Sequence, residues 1–128
     1  MIEAVPMKDK EREAEILRDY AETESNACVL ALSEGENSLG YVVLDIKEKY
    51  LRLHDFVIAD EASDFEKKFY IDFLMRAAAS YGENRGADNI ITVKPDWNEI
   101  LKTKGFGIDE EHAFAPMSLI VHYHKKPE

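Results

Sequence analysis

The sequence predicts an α/β (α+β) fold: a mixed, mostly antiparallel sheet with flanking helices, in the order β-α-β-β-β-α-β-α-β. Three observations carry this expectation. Between residues 27 and 59, apolar and β-branched residues run in short blocks or alternate, with turn residues between the blocks. From Phe65 to Arg85 the apolar positions recur every three or four residues, the period of a helix packed on one side. That helix lies between the fourth and fifth strands, which allows a right-handed parallel crossover there, and a short helix and a final strand follow the fifth. The chain has 128 residues, the size of one domain.

Each element has a local reason. Residues 1–7 read as a short strand that Pro6 confines to an edge or an end. Residues 8–24 read as a helix, with Ala14, Ile16, Leu17, Tyr20 and Ala21 on one face and Glu11, Arg12, Glu13, Glu15, Arg18 and Asp19 on the other. The apolar run of residues 27–34 reads as a buried strand. The turn Gly35-Glu36-Asn37-Ser38 joins it to a second strand from Leu39 to Ile46. Across Lys47-Glu48-Lys49, Tyr50 to Ala59 alternates, placing Leu51, Leu53, Asp55 and Val57 on one face and Arg52, His54, Phe56 and Ile58 on the other. Asp64 is the expected N-cap of the long helix, and Gly82 and Gly86 mark its end. Ile90 to Val93 reads as a strand, and Pro95-Asp96 opens a helix through Leu101 that Gly105 stops. The last strand is expected within Ala113 to Tyr123.

Composition narrows the function classes. Sixteen Lys and Arg stand against 26 Asp and Glu, a net charge of −10. Adjacent basic pairs occur only at Lys67-Lys68 and Lys125-Lys126, too sparse for counterion release along nucleic acid. Net negative charge keeps a protein dissolved, and it also steers small cations. No apolar run is long enough for a membrane span, and Met1-Ile2-Glu3-Ala4 lacks a signal peptide's basic and apolar regions. A soluble, cytoplasmic protein is therefore expected, with no nucleic-acid or membrane partner. Cys28, the single cysteine, sits in an apolar run and reads as an inert buried thiol. His122 and His124 share one face of the expected last strand, but no third ligand accompanies them, so no metal site is assigned. No P-loop, dinucleotide fingerprint, nucleophile elbow or His-Glu-x-x-His motif is present.

Three segments, in this order and spacing, resemble the GNAT superfamily of acyl-CoA-dependent N-acetyltransferases, and the likeness spans nearly the whole chain. His54-Asp55-Phe56-Val57-Ile58-Ala59-Asp60-Glu61 is similar to that family's fourth strand running to its cofactor loop. Asn84-Arg85-Gly86-Ala87-Asp88-Asn89-Ile90 is similar to its exit from the long helix into the fifth strand. Lys102-Thr103-Lys104-Gly105-Phe106-Gly107 is similar to its helix-end Tyr-x-x-x-Gly-Phe element. The resemblance implies acetyl-CoA or another acyl-CoA as cosubstrate, a small primary amine as acceptor, and a possible homodimer. It also implies a cleft between the fourth and fifth strands. Backbone groups near Phe56, Val57 and Ile58 would hold the pantetheine arm. The diphosphate would rest on the tip of the long helix, in a loop patterned Arg/Gln-x-x-Gly-x-Gly/Ala.

This chain departs from that pattern. The loop falls on Glu66-Lys67-Lys68-Phe69-Tyr70-Ile71-Asp72, and no glycine occurs between Gly40 and Gly82. Bare glycine backbone lets amides approach phosphate, whereas phenyl and carboxylate groups crowd or repel it. One like-charge pair at ~4 Å near a surface costs a few kcal/mol. Lys67 and Lys68 are the side chains available to compensate. Leu101 occupies the place where many family members carry a tyrosine as general acid, and Lys94 the place of an asparagine.

His54 and Asp55 are the candidate bases for the acceptor amine. The alternation of the strand puts them on opposite faces, so at most one can serve. Against that role stands an ordinary hydrogen-bonded or solvated strand pair. Tyr41, Tyr50 and Tyr123 are candidate pocket aromatics or packing residues, and Trp97 caps the cleft, forms an interface contact or is simply buried. Two functions follow: a divergent acyltransferase moving an acyl group from CoA to a primary amine, or a non-catalytic binding or dimerisation module on the same fold.

Overall fold

The computed structural model describes residues 1–20 and 22–121. Seven strands form one sheet: β1 (Ile2–Pro6), β2 (Cys28–Glu34), β3 (Asn37–Lys47), β4 (Tyr50–Ile58), β5 (Asn89–Thr92), β6 (Gly107–Ile108) and β7 (Ala113–Pro116). Their spatial order is β1-β2-β3-β4-β5-β7-β6. Every neighbouring pair is antiparallel except β4 and β5, which run parallel. The crossover between those two is α2 (Asp64–Glu83). The expected meander and crossover are thus both present.

The sheet separates two apolar layers by the alternation of its strands. Leu30, Leu32, Val42, Leu44, Leu51 and Leu53 join the α2 side chains Ile71, Leu74, Met75 and Ala78 in the main core. On the opposite face, Val29 and Val43 pack with Ile16 of α1 (Lys10–Leu17). The first helix therefore ends at Leu17, short of residue 24. Tyr20, Glu22 and Glu24 lie in the following loop because the sheet captures that segment. Tyr20 Oη donates to Asp55, Glu24 N donates to Asp45, and Asn26 exchanges two hydrogen bonds with the backbone of Ile46.

Three further differences from expectation have physical causes. The N-cap of α2 is Ser63, not Asp64. Its Oγ accepts from Glu66 N (3.1 Å) while Glu66 Oε1 accepts from Ser63 N (3.0 Å), a reciprocal box. The helix beyond β5 splits into a 3-10 turn, Pro95–Trp97, and α3 (Asn98–Lys102). The last strand is confined to Ala113–Pro116. Pro116 lacks an N–H to continue the ladder and leads into α4 (Met117–Ile120), whose Met117 N donates to Asp88 O (2.9 Å). The run Met117-Ser118-Leu119-Ile120 is too short for its period to separate helix from strand. His122, Tyr123 and His124 lie outside the described residues.

β4 carries the feature that shapes the site. Val43 pairs with Asp55 and Leu44 with Leu53, so His54 is an extra residue, a bulge. One extra residue reverses the alternation beyond it. Leu51 and Leu53 face the main core before the bulge, and Phe56 and Ile58 face it afterwards. The expected grouping of Leu51, Leu53, Asp55 and Val57 on one face is corrected accordingly.

Candidate functional site

The parallel pairing of β4 and β5 runs from Tyr50–Asn89 to Leu53–Thr92. Val93 N still donates to Leu53 O (3.0 Å). Beyond that point the strands part, and Phe56, Val57 and Ile58 have a strand partner only on the β3 side. This is the expected cleft, with an unpaired strand backbone along one wall. Trp97 packs edge-on against Phe56, with ring centroids 5.4 Å apart. Its Nε1 is buried with no hydrogen-bond partner. Phe69 lies on the outside of α2, and Tyr70 packs in the core with its Oη donating to Glu66 (3.3 Å).

At the mouth of the cleft, on the α1 face, the bulge gathers a polar cluster. Asp45 is fully buried and His54 is 3% exposed. Arg52 binds Asp45 with both Nε (2.8 Å) and Nη2 (2.6 Å), and Glu24 N donates to the same carboxylate (2.7 Å). His54 Nε2 lies 3.0 Å from Asp45 Oδ1, within ion-pair range but without a well-formed hydrogen bond. Burial pushes the Asp45 carboxyl up. The His54 ring, the Arg52 fork and the Glu24 amide outweigh it and hold the group well below the usual carboxylate range. Arg52 Nη2 also donates to Glu22 O (3.0 Å), which ties the loop after α1 to the sheet.

Asp55 stands beside this network. Tyr20 Oη donates to its Oδ2 at 2.7 Å, and Lys94 Nζ lies 3.5 Å from the same oxygen. The Lys94 ammonium also sits 5.5 Å from the centre of the Tyr20 ring. Burial, reinforced by the bond to Asp55, raises the Tyr20 phenol far above its ordinary value, so it stays a donor. A cavity of about 220 Å³ opens here, lined by Asp19, Tyr20, Glu22, His54, Val93 and Lys94. The expectation that His54 and Asp55 point to opposite faces is overturned: the bulge turns both toward α1 and Tyr20.

Sequence reasoning missed Tyr20, Asp45 and Arg52. The available signal was Asp45 itself, a charged residue inside the apolar run Val42-Val43-Leu44-Asp45-Ile46. Such a residue demands a partner, and Arg52 lies directly across the β3–β4 turn.

The other half of the cleft is the tip of α2. Its third amide, Glu66 N, is taken by Ser63 Oγ, and Lys67 N is taken by Ser63 O (2.8 Å). Bonds from the backbone and side chain of Ser63 hold the Glu66 carboxyl below its usual range, so a negative charge is fixed at this tip. Asp64 adds a second carboxylate in the first turn. With its third amide taken and carboxylates in its first turn, this tip offers an incoming anion few main-chain donors. Lys67 and Lys68, adjacent on a helix, project about 100° apart around its axis and do not converge on one anion. Lys68 instead lines a groove of about 290 Å³ with Glu99, Ile100, Thr103 and Lys104, between α2 and α3. Leu101, in the general-acid position, is fully buried.

Tyr41 packs against the α1-side core, and Tyr50 is exposed at the start of β4. Cys28 is partly buried, which pushes its thiol up, with Tyr81 as a hydrogen-bonding neighbour that lowers it. Among the described residues, no helix is long and apolar enough to cross a membrane.

No protein-family model and no curated protein matches this chain. Solved structures do. Ribosomal-protein-S18-alanine N-acetyltransferase from Escherichia coli is similar over 100% of this chain and 99% of its own, with 11% identity and a TM-score of 0.65. Aminoglycoside 6'-acetyltransferase type Ii is similar over 96% of this chain and 99% of its own, with 14% identity and a TM-score of 0.66. A Bacillus subtilis acetyltransferase in complex with CoA is similar over 84% of this chain and 76% of its own, with 16% identity and a TM-score of 0.55. The element order, the parallel β4–β5 crossover and these likenesses together define the fold as that of the GNAT acetyltransferases.

Proposed function

We propose that this chain is a non-catalytic module on the GNAT fold that has given up acyl-CoA as a ligand. One observation carries the reading: at the tip of α2 the third amide is taken by the Ser63–Glu66 box, in a first turn bearing Asp64 and Phe65. An anion site at a helix tip needs free amides and room for the backbone to approach. Here the third amide is satisfied internally, and the nearest charges are negative. Leu101, with no proton to give, agrees with this reading. The test is isothermal titration of the full chain with CoA and with acetyl-CoA. No heat, or affinity no tighter than millimolar, is expected; micromolar binding overturns the proposal.

A second reading is favoured by a different observation, the parting of β4 and β5 with Asp55 and His54 at the mouth. It is a divergent acyltransferase that moves an acetyl or other acyl group from acyl-CoA to a small primary amine. The unpaired backbone of Phe56, Val57 and Ile58 would hold the pantetheine arm, and Asp55 or His54 would take the amine's proton. Micromolar acetyl-CoA binding that weakens in a Lys67→Ala/Lys68→Ala variant would establish this reading in place of the first.

A further inference from the structure

The upper part of β4 carries main-chain groups that its surroundings leave unanswered. Ala59 N donates to Leu39 O (3.0 Å), so the polar groups of Ala59 face β3. Along a strand these groups alternate sides. Val57 therefore shares that direction, while Phe56 and Ile58 turn their N–H and C=O into the gap that β5 has left. Those four groups have no hydrogen-bond partner among the described residues. Phe56 is nevertheless only 2% exposed. Buried main-chain donors and acceptors are nearly always paired, and an unpaired strand edge is a template for another strand. Beside Phe56, the Trp97 Nε1 is a further buried donor without a partner.

The two sides of this edge differ in chemistry. Phe56 and Ile58 belong to the main-core side, with the Trp97 ring against Phe56. On the α1 side stand Asp55 and, around the cavity at the mouth, Asp19 and Glu22. Lys94 shares that rim but is already drawn to Asp55, at 3.5 Å. At the far end a second cavity of about 270 Å³ is lined by Val57, Ile58 and Asp60, with Asp60 and Glu61 exposed. The charge left over along the edge is negative.

We propose that the gap beside β4 binds an extended peptide of alternating apolar and basic residues, which pairs with the backbone of Phe56 and Ile58 as an added strand. Main-chain bonds supply the attachment, and the alternation of the added strand supplies the selectivity. Its apolar side chains turn to Phe56 and Trp97, and its basic side chains turn to Asp55, Asp19 and Glu22. Six residues of strand extend about 20 Å, enough to run from the mouth to Asp60. The peptide rests on the module reading above, since it takes the edge that acyl-CoA has given up.

Trp97 is the single tryptophan of the chain, so its emission reports on this gap. The probe is the acetylated, amidated peptide Lys-Val-Lys-Val-Lys-Val, titrated into the full chain without CoA. A saturable change with a dissociation constant at or below about 500 μM is expected. The charge-reversed peptide Glu-Val-Glu-Val-Glu-Val is expected to bind at least tenfold more weakly. Only one edge of the added strand meets β4. N-methylation of the three lysine amides or of the three valine amides should therefore weaken binding tenfold or more in one of the two versions. Asp19→Lys/Glu22→Lys, both exposed, should raise the dissociation constant about threefold or more, with circular dichroism unchanged. A dissociation constant above about 500 μM overturns the proposal. So does equal binding of the charge-reversed peptide, of both N-methylated versions, or by the double variant. Micromolar CoA binding overturns the module reading instead, whereas a chain that binds neither CoA nor the peptide keeps that reading and loses this one.

Discussion

At the scale of single residues, Asp45 bears the most consequence. It is a fully buried carboxylate whose partners come from three places: Arg52 across the hairpin, His54 at the bulge and the Glu24 amide in the loop after α1. Removing one member of a buried pair leaves the other uncompensated, which costs about 3–5 kcal/mol. Because Arg52 reaches partly into solvent, the lower end is expected for Asp45→Asn, read as a fall in the urea midpoint. The pH dependence follows from the downward shift of this carboxyl. A depressed acid contributes its full stability above its unfolded value, near 4 for aspartate, and loses that contribution as pH falls through and below this range. Urea unfolding between about pH 6 and 3 should thus steepen its decline in the parent chain and flatten in Asp45→Asn. An equal slope in both would remove Asp45 from the account. The sequence displayed this residue openly, yet its partners were hidden. Alternation alone assigned Asp55 and His54 to opposite faces, and nothing local announces that one strand carries an extra residue.

At the scale of elements, α2 was the most legible, since its twenty residues hold their period from end to end. Its first turn was less so. Both Ser63 and Asp64 are good caps, and the choice falls on Ser63 because Glu66 lies three residues on and can answer it. Ser63→Ala is expected to cost about 1 kcal/mol, seen as a lower thermal midpoint with unchanged native circular dichroism. At the other end, Gly82 packs on Leu51, and a methyl group there would meet three Leu51 side-chain atoms at 3.1–3.2 Å. Alanine gains about 1 kcal/mol in helix propensity, while overpacking a filled core costs about 1–3 kcal/mol. Leu51 is fully buried and has little space to yield, so Gly82→Ala should lower stability on balance; a rise in the urea midpoint would show that Leu51 repacks. The short elements were the ones misread. Residues 117–120 are too few to show a period, and the helix after β5 begins with a proline-led 3-10 turn that propensity does not resolve.

At the scale of the whole molecule, the fold was readable because its order of elements is unusual and its crossover sits in one place. The two halves of the cleft have met different fates. The strand half keeps its opening, its bare backbone edge and its polar mouth. In the helix half, the third amide is taken by the Ser63 cap and the first turn carries Asp64 and Glu66. Titration with CoA interrogates both halves together, since the strand edge would hold the pantetheine arm and the helix tip the diphosphate. Legibility followed the same division. The absence of glycine between Gly40 and Gly82 was visible in the letters, but the Ser63–Glu66 box needed coordinates.

The supernumerary His54 works as a phase shifter. Every side chain downstream on that ribbon is rotated half a turn from where simple counting puts it, so an apolar Phe56 is delivered to the interior and an acid to the rim. Chains built on this plan but lacking the insertion must write their acid one letter earlier to reach the same rim. Aligning such sequences by hydrophobic pattern alone would pair the wrong residues from that point onward.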